Sequence, residues 1–231
     1  MYLQITTKCN MRCEHCCYSC TMDGMHMPRA VFDAALLLDQ DYGDEMISIG
    51  GGEPTLHPDF WQYLCECICN YEFVWMATNG SQTKIALVLA KMAKRGVISC
   101  ALSQDEFHDE IDQKVVEAFM DGHKKMRDYV SNRNDPDRRE IRDVSDKITP
   151  IGRALENEVG HDSCKNNCVC DDMVIDPMGR IWACGCMKVQ FGTVLKPKIP
   201  KWYWDMDEKC SKKFRKQKRE LKQQQEVQQN G

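Results

Sequence analysis

The sequence contains no long apolar run: nowhere do about 18 apolar residues follow one another, so no transmembrane helix is predicted. It also has no basic stretch followed by an apolar one at its start, and so it gives no sign of a secretory leader. The net charge of −4 over 231 residues produces no global field that would draw the chain to nucleic acid or to anionic lipid. We therefore expect a cytoplasmic protein without a membrane partner.

Cysteine, in contrast, is abundant, with 15 residues in the chain. Secreted disulfide scaffolds are short and rich in loops, whereas this chain carries long helix and strand patterns. In a reducing compartment, clustered cysteines are better explained as metal ligands. The length and the hydrophobic content of 42% suit one core domain with room for a small appendage.

Strand-like and helical apolar patterns alternate from residue 2 to residue 151. This alternation predicts βαβ units and a parallel sheet, which right-handed crossovers should curl into a partial (β/α) TIM-like barrel of about five to six strands. Loops after the carboxyl ends of the strands should then hold the functional residues. The predicted strands cover residues 2–5, 46–49, 72–77, 97–102 and 140–144, and the predicted helices cover 28–40, 59–70, 83–95 and 111–126.

The first predicted strand runs directly into a loop that contains Cys9, Cys13 and Cys16. Three thiolates on one tight loop can hold three corners of a cubic iron–sulfur cluster, which leaves the fourth iron open to a small chelating molecule. Cys13, Cys17 and Cys20 have the same spacing, so the register is not unique. A zinc site or a set of free buried thiols is the alternative for this loop.

This loop resembles the signature of the radical S-adenosylmethionine (SAM) superfamily. The resemblance favours Cys9, Cys13 and Cys16, because Cys9 follows the strand and an aromatic ring, His15, precedes the third cysteine. It implies a [4Fe–4S] cluster whose open iron takes the amino and carboxylate groups of SAM. It further implies that an electron from the cluster cleaves SAM to methionine and a 5′-deoxyadenosyl radical, which abstracts a hydrogen atom from a substrate.

The second predicted strand ends in Gly51-Gly52-Glu53-Pro54. Glycines let the backbone approach a ligand closely, and a carboxylate or carbonyl there can accept hydrogen bonds from an ammonium group. The stretch is similar to the second motif of the same family, which usually reads GGEP and holds the SAM amino group. The resemblance therefore implies that Gly51, Gly52 and Glu53 contact SAM. The alternative is a plain Gly-Pro turn after a strand.

Further candidate site residues follow the later strands. Asn79 comes after the third strand, and Ser103 and Asp105 come after the fourth, where they would meet SAM or the substrate. Arg153 can pair with the SAM carboxylate, since a guanidinium forms bidentate hydrogen bonds with carboxylates. Asp105 and His108 are candidates for proton transfer. For each of these residues, a helix cap or a surface loop position is an equal alternative.

A second set of cysteines surrounds a predicted β-hairpin whose turn is Pro177-Met178-Gly179. The spacing from Cys168 through Gly179 to Cys184 resembles the auxiliary-cluster extension, of the Twitch or SPASM type, of many radical SAM enzymes. The resemblance implies one second [4Fe–4S] cluster. Such a cluster needs four ligands, so one of the five thiols here is spare. A structural zinc ribbon is the alternative. The five cysteines are Cys164, Cys168, Cys170, Cys184 and Cys186.

These patterns divide the chain into a radical SAM core at 1–155, an auxiliary-cluster extension at 156–205, and a basic, glutamine-rich tail at 206–231. The resemblance implies an electron donor such as flavodoxin or ferredoxin, and a peptide, a protein or a small molecule as substrate. The basic tail keeps a nucleotide or nucleic-acid substrate open, although such tails are more often solvated or disordered. A zinc- or cluster-bound binding protein without catalysis is the alternative from another class.

Overall fold

Nine strands and five helices are found in the part of the chain that the structure describes. The computed structural model describes residues 1–40, 45–129, 136–145, 148–160 and 172–203, together with residues 216, 219, 220 and 223. The helices are α1 (Arg29–Gln40), α2 (Phe60–Asn70), α3 (Thr83–Lys94), α4 (Gln113–Tyr129) and α5 (Arg153–Glu156). The strands are β1 (Tyr2–Thr6), β2 (Met46–Gly51), β3 (Phe73–Thr78), β4 (Ser99–Ser103), β5 (Arg139–Arg142), β6 (Val174–Ile175), β7 (Arg180–Trp182), β8 (Gln190–Thr193) and β9 (Lys196–Pro197).

The strands form one sheet in the order β5-β4-β3-β2-β1-β6-β7-β8-β9. Strands β1 to β6 pair in parallel, and β7 to β9 continue the sheet in antiparallel pairs. Within the described ranges the sheet does not close, since β5 and β9 are its two outer strands. The predicted partial barrel of five to six parallel strands is therefore confirmed.

The hydrophobic core lies between the sheet and its covering helices. Alternate residues of the strands point to opposite faces, so Leu3 and Ile5 of β1 are fully buried on the helix side. On that side the Phe32 ring of α1 stacks on the Tyr63 ring of α2 with centroids 3.9 Å apart. The other face of the parallel strands is left to line a cavity.

The predicted hairpin is present as β6 and β7, which pair in antiparallel fashion across the turn at Pro177 and Met178. It does not stand apart from the core, because β6 also pairs in parallel with β1. The hairpin therefore continues the same sheet from the strand that leads into the first cysteine loop. Most of the predicted basic tail lies outside the described residues. None of the helices in the described ranges has the length and apolar character needed to cross a bilayer.

Candidate functional site

A cavity of about 630 Å³ lies where the carboxyl ends of β1 to β5 meet. The ends of parallel strands share one edge of a sheet, so five strand ends and their loops contribute to one wall. Of the predicted site residues in the described ranges, Asp105, Arg153, Cys184 and Cys186 are not part of the lining. The predicted residues that do line it are Cys9, Cys13, His15, Cys16, Gly51, Gly52, Glu53, Asn79, Ser103 and His108.

The two glycines of the second motif hold the end of β2 against the cysteine loop. The Gly52 N–H donates to the carbonyl of Thr6, and the Glu53 N–H donates to the carbonyl of Lys8, both at 2.8 Å. A Cβ on Gly52 would lie 2.3 Å from the Lys8 carbonyl oxygen and 2.9 Å from the Cβ of Cys9. A Cβ on Gly51 would lie 2.4 Å from the Thr6 carbonyl oxygen. Only glycine permits an approach this close.

The two possible cysteine registers differ in how many of their residues line the cavity. Cys9, Cys13 and Cys16 line the cavity. Cys17 also reaches this wall, but Cys20 is not in the lining; it is 2% exposed and packs with Cys9 and Met11. All three cysteines of the first register therefore line the cavity, whereas only Cys13 and Cys17 of the second register do so.

The surroundings of Cys16 and Cys9 shift the pKa values of these two thiols in opposite directions. The Cys20 side chain hydrogen-bonds the Cys16 thiol, the Cys20 N–H lies 3.4 Å from its Sγ, and these contacts lower the pKa of Cys16 to about 5 despite burial. Burial raises the pKa of Cys9 to about 11. A metal ligand must lose its thiol proton, and the environment of Cys16 favours that loss whereas the burial of Cys9 opposes it.

Glu53 joins the ends of β2 and β3 through a fully engaged carboxylate. Its side chain is buried and accepts hydrogen bonds from the Thr55 N–H (3.1 Å), the Thr55 hydroxyl (2.5 Å), the Thr78 hydroxyl (2.8 Å) and the Asn79 N–H (2.7 Å). Burial raises the pKa of Glu53, and these donors act in the opposite direction. The carboxylate is thus fixed within the cavity wall.

Asn79 links the loop after β3 to the first cysteine. Its Nδ2 lies 3.9 Å from Cys9 Sγ and donates to Asn10 Oδ1 at 3.2 Å. Its Oδ1 accepts a hydrogen bond from the Ser81 N–H at 3.0 Å. With both ends of the amide engaged, its orientation towards the thiol is fixed.

Asp105, His108 and His15 form one group at the side of the cysteine loop. The Asp105 side chain is fully buried, and its Oδ1 lies 2.6 Å from His108 Nδ1. Its Oδ2 lies 3.9 Å from His15 Nε2. Burial lowers the pKa of His108, but hydrogen bonds with the side chains of Asp105 and Cys13 outweigh this and raise it to about 9. Of the two residues predicted for proton transfer, only His108 lines the cavity.

Arg153 contacts the backbone of the cysteine loop. Its guanidinium donates to the carbonyl oxygens of Cys13 at 3.0 Å and Cys20 at 2.7 Å, and its N–H donates to the carbonyl of Cys16 at 3.0 Å. The residue therefore braces three points of the loop. In this arrangement its guanidinium is occupied by carbonyls, whereas the sequence had suggested a carboxylate of SAM as its partner.

Arg142 and Trp75 also line the cavity, and neither was predicted from the sequence as a site residue. The guanidinium of Arg142, the last residue of β5, lies 5.8 Å from the centre of the Trp75 ring. Arg142 pairs with Ser103 in the sheet, and in the described ranges its guanidinium has neither an ion pair nor a hydrogen bond. The sequence did contain a signal for Arg142, because this cation lies near the carboxyl end of the predicted strand 140–144, where the site was expected. Trp75 could be found from the alternation in β3.

The second cysteine set is described only in part. Cys164, Cys168 and Cys170 lie outside the described residues. Cys184 is buried, and Cys186 lines a second cavity of about 540 Å³. Cys17 and Tyr18 line both this cavity and the first one, so the two cavities share a wall.

Comparison with known proteins gives one matching family. The model of the radical SAM superfamily matches residues 3–134, more than half of the 231 residues. A segment of 80 residues is 38% identical to an S-adenosylmethionine-dependent nucleotide dehydratase from Thermoplasmatales archaeon (strain ISO4-H5), covering 34% of this chain and 28% of that protein. A segment of 148 residues is 30% identical to GTP 3′,8-cyclase from Haemophilus influenzae (strain PittEE), covering 54% of this chain and 42% of that protein.

Mycofactocin maturase MftC from Mycobacterium ulcerans (strain Agy99) is 29% identical over 119 residues, which are 48% of this chain and 30% of that protein. The matches thus span less than half the length of these curated relatives. Among solved structures, native anSMEcpe with bound AdoMet is similar with a TM-score of 0.52 and 15% identity, over 89% of this chain and 81% of that one. At this identity the likeness shows the fold alone.

Proposed function

Because the chain belongs to the radical SAM superfamily, we propose that it cleaves SAM reductively at a [4Fe–4S] cluster held by Cys9, Cys13 and Cys16. The observation that carries the proposal is that these three thiols line one cavity together with the Gly51-Gly52-Glu53 motif. When bound, the cluster supplies the electron that converts SAM to methionine and a 5′-deoxyadenosyl radical, which takes a hydrogen atom from the substrate. A flavodoxin or ferredoxin is the proposed reductant.

The residues present suit that cluster in number and in kind. Three thiolates from one loop satisfy three irons and leave one site open, and thiolate is the ligand that such iron prefers. The loop is held from outside by the carbonyl contacts of Arg153 and by the two backbone bonds to the glycine motif. The polar side chain of Asn79 lies next to Cys9. Such contacts fix ligands in place and adjust the metal they bind.

We assign the two ends of SAM to different parts of the cavity wall. The end of β2 presents backbone groups of Gly51 and Gly52 for the SAM amino group. Arg142 and Ser103 lie together at the ends of β5 and β4, and a guanidinium without an ion pair in the described ranges suits the SAM carboxylate. Arg142 thus replaces Arg153 as the proposed partner of that carboxylate, since Arg153 is engaged by carbonyls.

We propose a second [4Fe–4S] cluster on the later cysteines, in an extension of the Twitch or SPASM type. Its support is the spacing of Cys168, Gly179 and Cys184, together with the position of Cys186 on the second cavity. Because the two cavities share Cys17 and Tyr18 in their walls, this cluster would lie next to the first cavity.

For the substrate we propose a peptide, a protein or a small molecule, in line with the maturase among the relatives. A nucleotide is the second candidate, because two other relatives are named as a nucleotide dehydratase and a GTP cyclase. An assay of hydrogen-atom transfer from deuterated substrates into 5′-deoxyadenosine would separate these classes: only a true substrate transfers deuterium.

The first test is anaerobic reconstitution with iron and sulfide, followed by iron counting, EPR and an assay for 5′-deoxyadenosine. The wild type should bind about eight irons, and the Cys9/Cys13/Cys16→Ala variant about four without forming 5′-deoxyadenosine. Replacing Cys65 and Cys69, two exposed cysteines of α2, by serine is the matched control and should change neither value. Zinc in place of iron, with SAM left intact, would refute the proposal and favour a binding module.

A further inference from the structure

The second cavity, of about 540 Å³, has features that the proposed second cluster does not use. Three methionines line it, namely Met25, Met178 and Met187. The side chains of Met25 and Met178 are 47% and 56% exposed. Their backbones are nevertheless fixed, because the Met25 N–H donates to the Thr7 hydroxyl at 2.9 Å and the Met178 N–H donates to Asp176 at 3.0 Å. Methionine is unbranched and polarizable, so this surface can adapt to different apolar side chains.

Two residues of the same wall have backbone conformations that favour glycine. The φ angle is 50° at Ser19 and 48° at Met187, and both residues line the second cavity. In the described part of the chain, Glu158 is the one other residue besides glycine with a positive φ. Such conformations are sparsely populated, and they cluster at ligand sites and other functional positions. The wall of the second cavity thus has the strained backbone that is typical of a binding site.

Gln4 of β1 brings an amide without a partner to this cavity. Its neighbours Leu3 and Ile5 face the helices, so the Gln4 side chain points to the opposite face of the sheet, where it lines the cavity. Gln4 is 2% exposed, and among the described residues its Nε2 has no hydrogen-bond partner. Because buried donors in native proteins are nearly always paired, an unpaired one indicates that a bound group completes it. The natural partner of an amide N–H is a carbonyl oxygen.

The charges of this wall do not favour a phosphate-bearing ligand. Asp23 and Asp176 contribute two carboxylates, and Arg180 is the one cation among the described lining residues. The Arg180 guanidinium is already paired, because its Nε lies 2.6 Å from Asp176 Oδ2. The described lining therefore leaves no unpaired cation for a triphosphate, although charged donors make the strong hydrogen bonds that hold phosphates. A neutral or basic peptide suits these charges better than a nucleotide does.

Cys17 and Tyr18 line both cavities, so a ligand in the second cavity lies next to the cavity of the proposed SAM site. We propose that the second cavity binds the part of a peptide substrate that flanks the reacting residue. Gln4 Nε2 donates to a main-chain carbonyl of this peptide, and Met25 and Met178 pack against its side chains. This inference rests on the proposed function and narrows its substrate to a peptide or a protein.

The test selects peptides from an mRNA-displayed library of random sequences on the anaerobically reconstituted full chain with SAM. The Kd of each enriched peptide, labelled with a fluorophore, is then measured by fluorescence anisotropy for the wild type and three variants. Gln4→Leu removes the donor at nearly constant volume. Met25→Ala/Met178→Ala removes two exposed side chains, and it keeps the test decisive if Gln4→Leu does not fold. Met120→Ala, at a methionine of α4 that is 53% exposed and lines neither cavity, is the matched control.

We expect Gln4→Leu to raise the Kd about three- to tenfold, as for the loss of one neutral hydrogen bond. The methionine double variant should raise it about tenfold or more through lost apolar contact, and the control should keep the wild-type value. Equal binding by the wild type and both cavity variants, or no enriched peptide, would overturn the inference. GTP binding that the same variants weaken would overturn it in favour of a nucleotide. Failure of the wild type to assemble iron or to cleave SAM would instead refute the proposed function.

Discussion

At the scale of single residues, Gly52 is where the backbones of the two motifs come closest. A Cβ at this position would lie 2.3 Å from the Lys8 carbonyl oxygen, which is backbone and cannot move aside without displacing Cys9. We predict that Gly52→Ala costs about 1–3 kcal/mol of the free energy of unfolding, the usual range for overpacking. Urea unfolding gives this value, and iron counting after reconstitution should show reduced cluster content. Unchanged stability and full iron content would mean that the loop shifts freely.

The two arginines near the site should give different phenotypes. We predict that Arg142→Gln weakens SAM binding about tenfold or more, because a hydrogen bond to a charged group contributes about 1.5–3 kcal/mol. Equilibrium dialysis of labelled SAM with the reconstituted protein measures this. Arg153→Gln is the matched comparison. It should lower the iron content, since Arg153 holds the carbonyls of Cys13 and Cys20, with less effect on the SAM affinity of the protein that retains iron. The reverse pattern would assign the carboxylate to Arg153.

The sequence predicts local features of the site well and long-range ones poorly. The cysteine loop and the glycine motif each lie within a few consecutive residues, so their spacing alone indicates them. Arg153 was named from the sequence and Arg142 was missed, because each is placed by contacts with residues far away in the chain. Arg142 is placed by the register with Ser103, and Arg153 by carbonyls about 130 to 140 positions earlier. Which cation faces the cavity is decided by tertiary packing.

At the scale of elements, Arg139 ties β5 to α4. Its buried guanidinium pairs with Asp137 through Nε at 2.9 Å and Nη2 at 2.5 Å, and it also donates to the carbonyl of Ala118 in α4. These contacts raise the pKa of Arg139, and they fix the strand whose last residue is Arg142. The position of the proposed carboxylate partner of SAM therefore depends on this link between the strand and the helix.

We predict that Arg139→Leu costs about 3–5 kcal/mol of the free energy of unfolding, because it leaves the buried Asp137 carboxylate without its guanidinium. Urea unfolding monitored by circular dichroism measures the cost. The Arg139→Leu/Asp137→Asn double variant removes the uncompensated charge and should recover part of it. A cost of less than about 1 kcal/mol in the single variant, typical of a surface pair, would contradict this assignment.

The strand alternation of the first five βα units was predictable because each unit is local, and the observed strand ends differ from the predicted ones by only one or two residues. The position of the hairpin in the sheet was not predictable from the sequence. The turn at Pro177 and Met178 indicated two antiparallel strands, but the parallel pairing of β6 with β1 joins residues more than 170 positions apart. Such a pairing leaves no periodic signal in the sequence, so the sequence could not show that the hairpin continues the sheet of the core.

At the scale of the whole molecule, this pairing makes the hairpin part of what stabilises the first cysteine loop. β1 lies between β2 and β6, and the Tyr2 N–H donates to the Met173 carbonyl at 2.9 Å. Removing residues 161–231 would turn β1 from an inner strand into an edge strand with unpaired backbone groups beside the fully buried Leu3 and Ile5. An exposed edge of this kind promotes association between chains.

We therefore predict that a chain ending at residue 160 unfolds at a lower temperature than the full chain and aggregates or dimerises, as seen by calorimetry and by size-exclusion chromatography with light scattering. Its reconstitution should also give less than the four irons expected for the first cluster, since the strand that leads into Cys9 loses one of its two neighbours. The matched control is a chain that lacks only residues 206–231, the predicted basic tail, which should keep the thermal stability of the full chain. A monomeric 1–160 fragment with a wild-type melting temperature and four irons would show that the core is independent of the hairpin, and that the two cysteine sets belong to separate folding units.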